Sequence, residues 1–457
     1  MAQLRTIGRW LRRASASPAP YPNVSKSSIL AALRNLALKC LRADLSGLVI
    51  ATFAVQGLSY ALQLALAAVL SPRDFGIVRV SEVVVGAASI FAAAGMPSMM
   101  IRLVAEEPAA YWRRLVATRV LSTVALSATL AAVGVMLMAP VLVTAEAAPF
   151  LLWLAPSIAL SAIARTCISF FYGINDAKRV PRLSVPPAVS SSAVVIVGAH
   201  VFGLWGWVTG RVLGDLLLLG VTFAALRASI GDGPAASFEE RLRARWLLAS
   251  GVPLAVSLFA RSLIDSSPVL VLARQSGASD TLGVAGLVSL IAAALTVVPG
   301  SMVTLALPSM VQLAQHDRAQ LKRRLWRLVF VSVLLALPPA ILGAVAAEPL
   351  ARRFLPAYAP DMALAAWLLL AVPPRVLASL AGTSMLATDQ VQTAFVLTLG
   401  TLAFMVLTQT LAAARWGLAG IVAATIAVEY LSAAAFLFMA HWHLRRPPPP
   451  PKPSAGR

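Results

Sequence analysis

Apolar residues in this chain come in blocks much longer than the core face of a soluble helix requires. Residues 328–337 and 362–372 are two such blocks, and small residues extend each of them. About 20 apolar residues suffice to cross the hydrocarbon core, since a helix rises about 1.5 Å per residue. Blocks of this kind are found at 45–70, 77–101, 116–143, 150–172, 183–202, 205–226, 247–272, 282–305, 328–347, 362–387, 394–414 and 417–440. The pattern predicts an all-α polytopic membrane protein with about 12 transmembrane helices. Very little chain separates the fifth block from the sixth, so 11 or 13 passes fit the same pattern.

Composition supports this reading. Of 457 residues, 59% are hydrophobic and 12% charged, with mean hydropathy +0.82. Soluble globules carry about 45–50% apolar and about 25% charged residues. The formal net charge of +20 raises nucleic acid as a partner, but the basic residues lie in short stretches between apolar blocks and form no continuous groove. Their distribution instead follows membrane topology. Most of the 38 Lys and Arg residues fall in the N-terminal segment, the tail and alternate connections such as Arg113–Arg114, Lys178–Arg179, 241–245 and 322–324. The opposite side has Arg73, Arg274, Arg352, Arg353 and Arg415. This bias predicts that both termini are cytoplasmic.

The expected organisation is a basic cytoplasmic segment at 1–44, a six-helix half at 45–230, a cytoplasmic linker at 231–246, a second half at 247–440 and a Pro-rich cytoplasmic tail at 441–457. No apolar core follows the first arginines, so no cleavable signal peptide is expected. Ile29, Leu33, Leu36 and Cys40 recur at helical spacing, which fits either an interfacial amphipathic helix or a lead-in to the first span. Cys40 and Cys167 are not expected to pair, and no metal-ligand spacing is present. Gly206, Gly210 and Gly214 form a stripe suited to close helix packing.

An internal repeat supports the two halves. Pro97-Ser98-Met99 recurs as Pro308-Ser309-Met310, and Trp205-Gly206 as Trp416-Gly417, both 211 residues on. Arg113-Arg114-Leu115 recurs as Arg323-Arg324-Leu325, and Arg165 aligns with Arg375, both at 210. Six passes per half imply a parallel repeat about an axis along the membrane normal, with the substrate path between the halves.

Five arginines stand inside apolar blocks: Arg79, Arg165, Arg211, Arg261 and Arg375. An Arg at a helix centre costs about 2.5–3.5 kcal/mol on insertion scales, so these residues are expected to face a wet cavity or a partner. Three have an acid three or four residues on, which places both charges on one helix face: Glu82, Asp215 and Asp265. Such pairs serve either self-neutralisation or function. Arg165 and Arg375 have no local acid, and Pro373–Pro374 suggests a broken, cavity-lining backbone before Arg375. Two unpaired guanidinium forks on one cavity suit phosphate oxygens; loop carbonyls or a lipid headgroup are the alternative partners. Glu429, a lone acid in the last block, is a candidate partner for one of these arginines or a proton carrier. Asp265 lies among Ser262, Ser266, Ser267 and Pro268, a set suited to coupling Na⁺ or H⁺. No P-loop is present, no connection is long enough for a catalytic domain, and no cofactor is expected, so the chain does not read as an enzyme.

Several stretches resemble a known family. Leu70-Ser-Pro-Arg-Asp-Phe-Gly76 is followed by Ala94-Gly-Met-Pro-Ser98 and Ile101-Arg-Leu-Val-Ala-Glu106. Asp265 precedes Pro268-Val-Leu-Val-Leu272, Pro308-Ser309-Met310 precedes Lys322-Arg323-Arg324, and Trp416-Gly417 is followed by Gly420. In order and spacing they resemble the polysaccharide-biosynthesis transporters, which include the Wzx-type O-antigen flippases of the multidrug/oligosaccharidyl-lipid/polysaccharide exporter superfamily. The resemblance covers about residues 45–440; the basic N-terminal extension is longer than the family pattern. It implies a twelve-helix, two-lobed fold and alternating-access transport of an undecaprenyl-pyrophosphate-linked oligosaccharide for surface polysaccharide or lipopolysaccharide. Membrane lipids, and by extension a polysaccharide polymerase and glycosyltransferases, would be the partners. A multidrug antiporter, a peptidoglycan-precursor flippase and a non-transporting scaffold are the rival readings. The first rival fits poorly because the first block contains no acid.

Overall fold

The computed structural model describes residues 45–106, 109–174, 176, 179–230, 244–388 and 390–445. The candidate interfacial helix and most of the linker and tail lie outside them. The chain divides into a short unit, Met1–Ile50, and a main unit, Ala51–Arg457. Residues 45–50 of the short unit begin a helix. Apart from residues 45–50, the two halves expected from the repeat fall within the main unit.

The described residues are helical, with no strand. In order they form α1 (Leu45–Val69), α2 (Pro72–Ala92), α3 (Met96–Glu106), α4 (Ala110–Leu142), α5 (Ala148–Gly173), α6 (Arg179–Ile230), α7 (Ala244–Ser276), α8 (Asp280–His316) and α9 (Arg318–Phe354). A 3₁₀ turn, α10 (Ala359–Ala365), a 3₁₀ stretch (Ala366–Ala371), α11 (Val372–Ala387) and α12 (Val391–Arg445) follow. Both α6 and α12 are helical hairpins. Gly203 (φ 58°, ψ −137°) and Gly417 (φ 55°, ψ −134°) reverse the chain in nearly the same conformation, one that side chains disfavour. With each hairpin counted as two, the described helices make about twelve passes.

Local chemistry explains where the helices start. Ser71 caps α2, its hydroxyl accepting from the Asp74 N–H at 3.1 Å, with Pro72 in the first turn. Ser279 caps α8 in the same way, accepting from Leu282 N–H at 3.3 Å, and Asp317 caps α9 at 2.8 Å from Gln320 N–H. The continuous helix expected over 77–101 is interrupted. Ala94 and Gly95 take positive φ, so α3 sets off in a new direction and buries Met96, Met100, Leu103 and Val104 at helical spacing.

The hairpins also correct the repeat. Gly203 and Gly417 lie 214 residues apart, not 211. Gly206 packs on Gly198 and Gly420 on Ala412, again 214 apart. The Trp-Gly match was therefore three residues out of register in this region. Trp205 follows its reversal and Trp416 precedes one, since an interfacial indole can sit on either side of a turn. The stripe Gly206, Gly210 and Gly214 serves the hairpin itself, facing Gly198, Val195 and Ser191.

Helix α2 is central, packed against α5, α7 and α8 and buried on most sides. Peripheral α4 and α9 instead display Leu130, Leu137, Leu342 and Val345. Such display is ordinary where the surroundings are lipid chains as apolar as leucine.

Candidate functional site

Two cavities flank α2. The first, of about 270 Å³, is lined by Gln63 of α1, Arg79 and Glu82 of α2, Arg165 of α5, Arg211 of α6 and Ser266 of α7. The second, of about 290 Å³, is lined by Arg79, by Arg261 and Asp265 of α7, and by Arg375 of α11. Arg79, Val83 and Ser266 border both, so the cavities share a wall. Among the predicted site residues, only Asp215 and Glu429 line neither cavity, and each lies against an arginine that does.

The three local pairs form as spacing predicted. Arg79 lies 3.1 Å from Glu82, Arg211 3.4 Å from Asp215 and Arg261 3.1 Å from Asp265. Gln63 completes the first pair. Its amide donates to Glu82 at 2.8 Å, and its carbonyl accepts from Arg79. Sequence reasoning passed over Gln63, although an amide inside the first apolar block was the available signal. Gly286 was missed as well. A Cβ there would lie 2.7 Å from Arg79 Cγ, so its absence makes room for the arginine stem.

Arg375 and Arg165 depart from expectation. Arg375 is not unpaired: its Nε donates to Glu429 Oε1 at 2.8 Å and lies 3.8 Å from Asp265. Arg375 is 8% exposed and Glu429 fully buried. Glu429 stands 54 residues further along the chain, beyond the reach of helical spacing, and hairpin α12 brings it in. The two arginines do not share a cavity either, for Arg165 opens on the first and Arg375 on the second. Among the described residues no hydrogen bond or ion pair holds the Arg165 guanidinium, whose charged neighbours are Arg211 and Asp215. The backbone before Arg375 is tightened rather than broken: a 3₁₀ stretch leads into α11, with Pro373 and Pro374 in a first turn that needs few donors.

The groups expected around Asp265 are dispersed. Ser266 borders both cavities, Ser262 only the first, and the buried Ser267 hydroxyl donates to Ile264 O at 2.9 Å. Among the described residues no group of three or more His, Cys, Asp or Glu is arranged for a metal. The first cavity therefore gathers Arg79, Arg165 and Arg211 against Glu82, with Asp215 behind Arg211. The second sets Arg79, Arg261 and Arg375 against Asp265, with Glu429 behind Arg375.

The fold is that of a polytopic membrane protein, and several solved structures share it. At TM-score 0.69 it matches an inward-facing multidrug resistance MATE family transporter of the MOP superfamily, 14% identical, covering 85% of this chain and 94% of that one. It matches the lipid II flippase MurJ in an inward closed conformation at TM-score 0.68 and 14% identity, covering 86% and 87%. It also matches the Vibrio cholerae MATE transporter VcmN in its bent form at TM-score 0.59 and 16% identity, covering 88% and 97%. The chain belongs to the polysaccharide biosynthesis protein family, which matches residues 65–357. No curated protein matches it.

Proposed function

We propose that this protein is a flippase that moves a polyprenyl-pyrophosphate-linked oligosaccharide across a bacterial inner membrane by alternating access. Arg165 carries the proposal. It stands in the first cavity beside Arg79 and Arg211, and among the described residues no acid pairs with it. Guanidinium forks held away from lipid suit phosphate oxygens. The serines Ser59, Ser262 and Ser266 also line this cavity and offer hydroxyls to phosphate or sugar. Membership of the polysaccharide biosynthesis family agrees with such a substrate. A cationic drug fits less well, because Glu82, Asp215, Asp265 and Glu429 each lie against an arginine. Both termini face the cytoplasm in this proposal, and a polymerase and glycosyltransferases work on either side of the transport step.

The test is transport of a fluorescent polyprenyl-pyrophosphate oligosaccharide in vesicles containing the purified protein. Arg165→Gln should abolish flipping while reaching the membrane at the wild-type level, and Arg165→Lys should recover only part of it. Wild-type flipping by Arg165→Gln would remove the proposed phosphate site. Flipping of a peptidoglycan precursor but not of the oligosaccharide would reassign the substrate.

A further inference from the structure

A cavity larger than either arginine site lies away from both. It is a groove of about 600 Å³ lined by both arms of hairpin α12 and bordered by the exposed apolar side chains of Leu411, Trp416 and Leu431. Its lining is almost wholly apolar. Gly420, Ala423, Ala424 and Ala427 form the face of the second arm, and Phe404 and Leu411 come from the first. Small residues alone would only let another helix approach. Two further features point to a different occupant.

The first is charge. Arg415 lies at the Gly417 end of the groove beside Trp416, and both are exposed. Among the described residues no carboxylate pairs with Arg415. A guanidinium and an indole at the end of a membrane helix belong at headgroup level, with apolar groups below them. The second is length. From Gly420 to Leu431 the second arm rises about 16 Å at about 1.5 Å per residue. That is close to half of a hydrocarbon core about 30 Å thick, the depth of one leaflet.

We infer that this groove is a binding site for an anionic phospholipid, its phosphate on Arg415 and one acyl chain along the small-residue face of α12. The lipid is a resident one, distinct from the transported substrate, and the site does not depend on the proposed transport function. It belongs to the leaflet on the side of the Gly417 turn. Packing of the chain favours any phospholipid, while the guanidinium adds preference for a phosphate head that lacks its own cation, as in phosphatidylglycerol.

Native mass spectrometry of the purified protein, titrated separately with phosphatidylglycerol and phosphatidylcholine, tests the inference. Wild type should bind phosphatidylglycerol more tightly. Arg415→Gln should weaken phosphatidylglycerol roughly tenfold, the loss expected of one charge-assisted hydrogen bond, while leaving phosphatidylcholine unchanged. Arg415→Lys should keep most of the preference. Ala427→Phe, which fills the groove from an exposed position, should weaken both lipids and leave thermal stability in lipid-free detergent near wild type. Equal affinity of wild type and Arg415→Gln for phosphatidylglycerol would overturn the inference. So would a dimer that Ala427→Phe dissociates without any change in lipid binding, since a second copy would then fill the groove. Stronger binding of undecaprenyl phosphate than of phosphatidylglycerol, lost in both variants, would equally overturn it in favour of a polyprenyl chain.

Discussion

The Arg375 guanidinium lies 2.8 Å from Glu429 and 3.8 Å from Asp265, and burial encloses both Arg375 and Glu429. Removing one member of a buried ion pair strands the other charge and costs about 3–5 kcal/mol, whereas replacing both with apolar residues is often neutral. Glu429→Gln and Arg375→Gln should each lower the unfolding temperature in detergent, and Arg375→Leu with Glu429→Leu should recover most of the loss. Unaltered unfolding in the single variants would mean that the pair contributes nothing to the fold. We propose that Asp265, which the sequence marks as suited to coupling Na⁺ or H⁺, couples transport to an ion gradient, and this predicts a different pattern. Asp265→Asn should bind lipid-linked sugar normally but lose flipping driven by an ion gradient; normal gradient-driven flipping would leave the Arg261–Asp265 pair merely structural. Legibility at this scale followed distance along the chain. Arg79–Glu82, Arg211–Asp215 and Arg261–Asp265 were readable because a helix places residues three and four apart on one face. Arg375–Glu429 was not, since only the folded hairpin brings them together.

At the scale of the element, the reversing glycines and the close-packing glycines make different demands. Gly203 and Gly417 need only backbone freedom, for a Cβ at either would meet nothing within 4 Å. Alanine there should cost about 1–3 kcal/mol of conformational strain. Gly206 and Gly420 need space, since a Cβ would fall 1.9 Å from Gly198 O and 2.2 Å from Ala412 O. Gly206→Ala should therefore pry the arms of α6 apart and lower the yield of folded protein more than Gly203→Ala does. Size-exclusion profiles and unfolding temperatures of the two variants will rank them; the reverse order would mean that the turn, not the packing, holds the hairpin. The apolar blocks in the sequence located these helices, because in a membrane apolarity and length nearly define a span. The sharpness of the reversals was not legible, since a left-handed glycine and a helical one are the same letter.

For the whole molecule, the halves meet at one end with backbone packed close against backbone. A Cβ on Gly283 would lie 1.9 Å from Pro72 O, and one on Gly76 would lie 3.1 Å from both Gly283 N and the Leu282 side chain, closer than ordinary contact. Arg274 donates to Val141 O at 3.2 Å at the same end, and Arg73 lies 2.6 Å from Glu146. Gly283→Ala is incompatible with this closure and should shift the population towards conformers parted there. Spin labels at Ala145 and Ala278 should report a longer distance in Gly283→Ala than in the glycine parent; an unchanged distance would show that the contact does not set the conformer. Orientation is separately testable. With Cys40 and Cys167 replaced, single cysteines at Ala145 and Ala110 should label from opposite sides of the membrane, with Ala110 cytoplasmic. Labelling of both from one side would overturn the arrangement inferred from the basic residues.

Arg79 belongs to the wall that the two cavities share, with Glu82 and Gln63 holding it from one side and Gly286 leaving room for its stem. One cation cannot lean fully towards both chambers at once. Were the proposed anion to enter the first chamber and a proton or ion the second, they would compete for the same side chain, and each would alter the free energy of the other. Thermodynamic reciprocity then sets a condition on any pump built this way. The factor by which the coupling ion changes affinity for the sugar-linked phosphate must equal the factor by which that phosphate changes affinity for the ion, and Arg79→Gln should bring both towards one together.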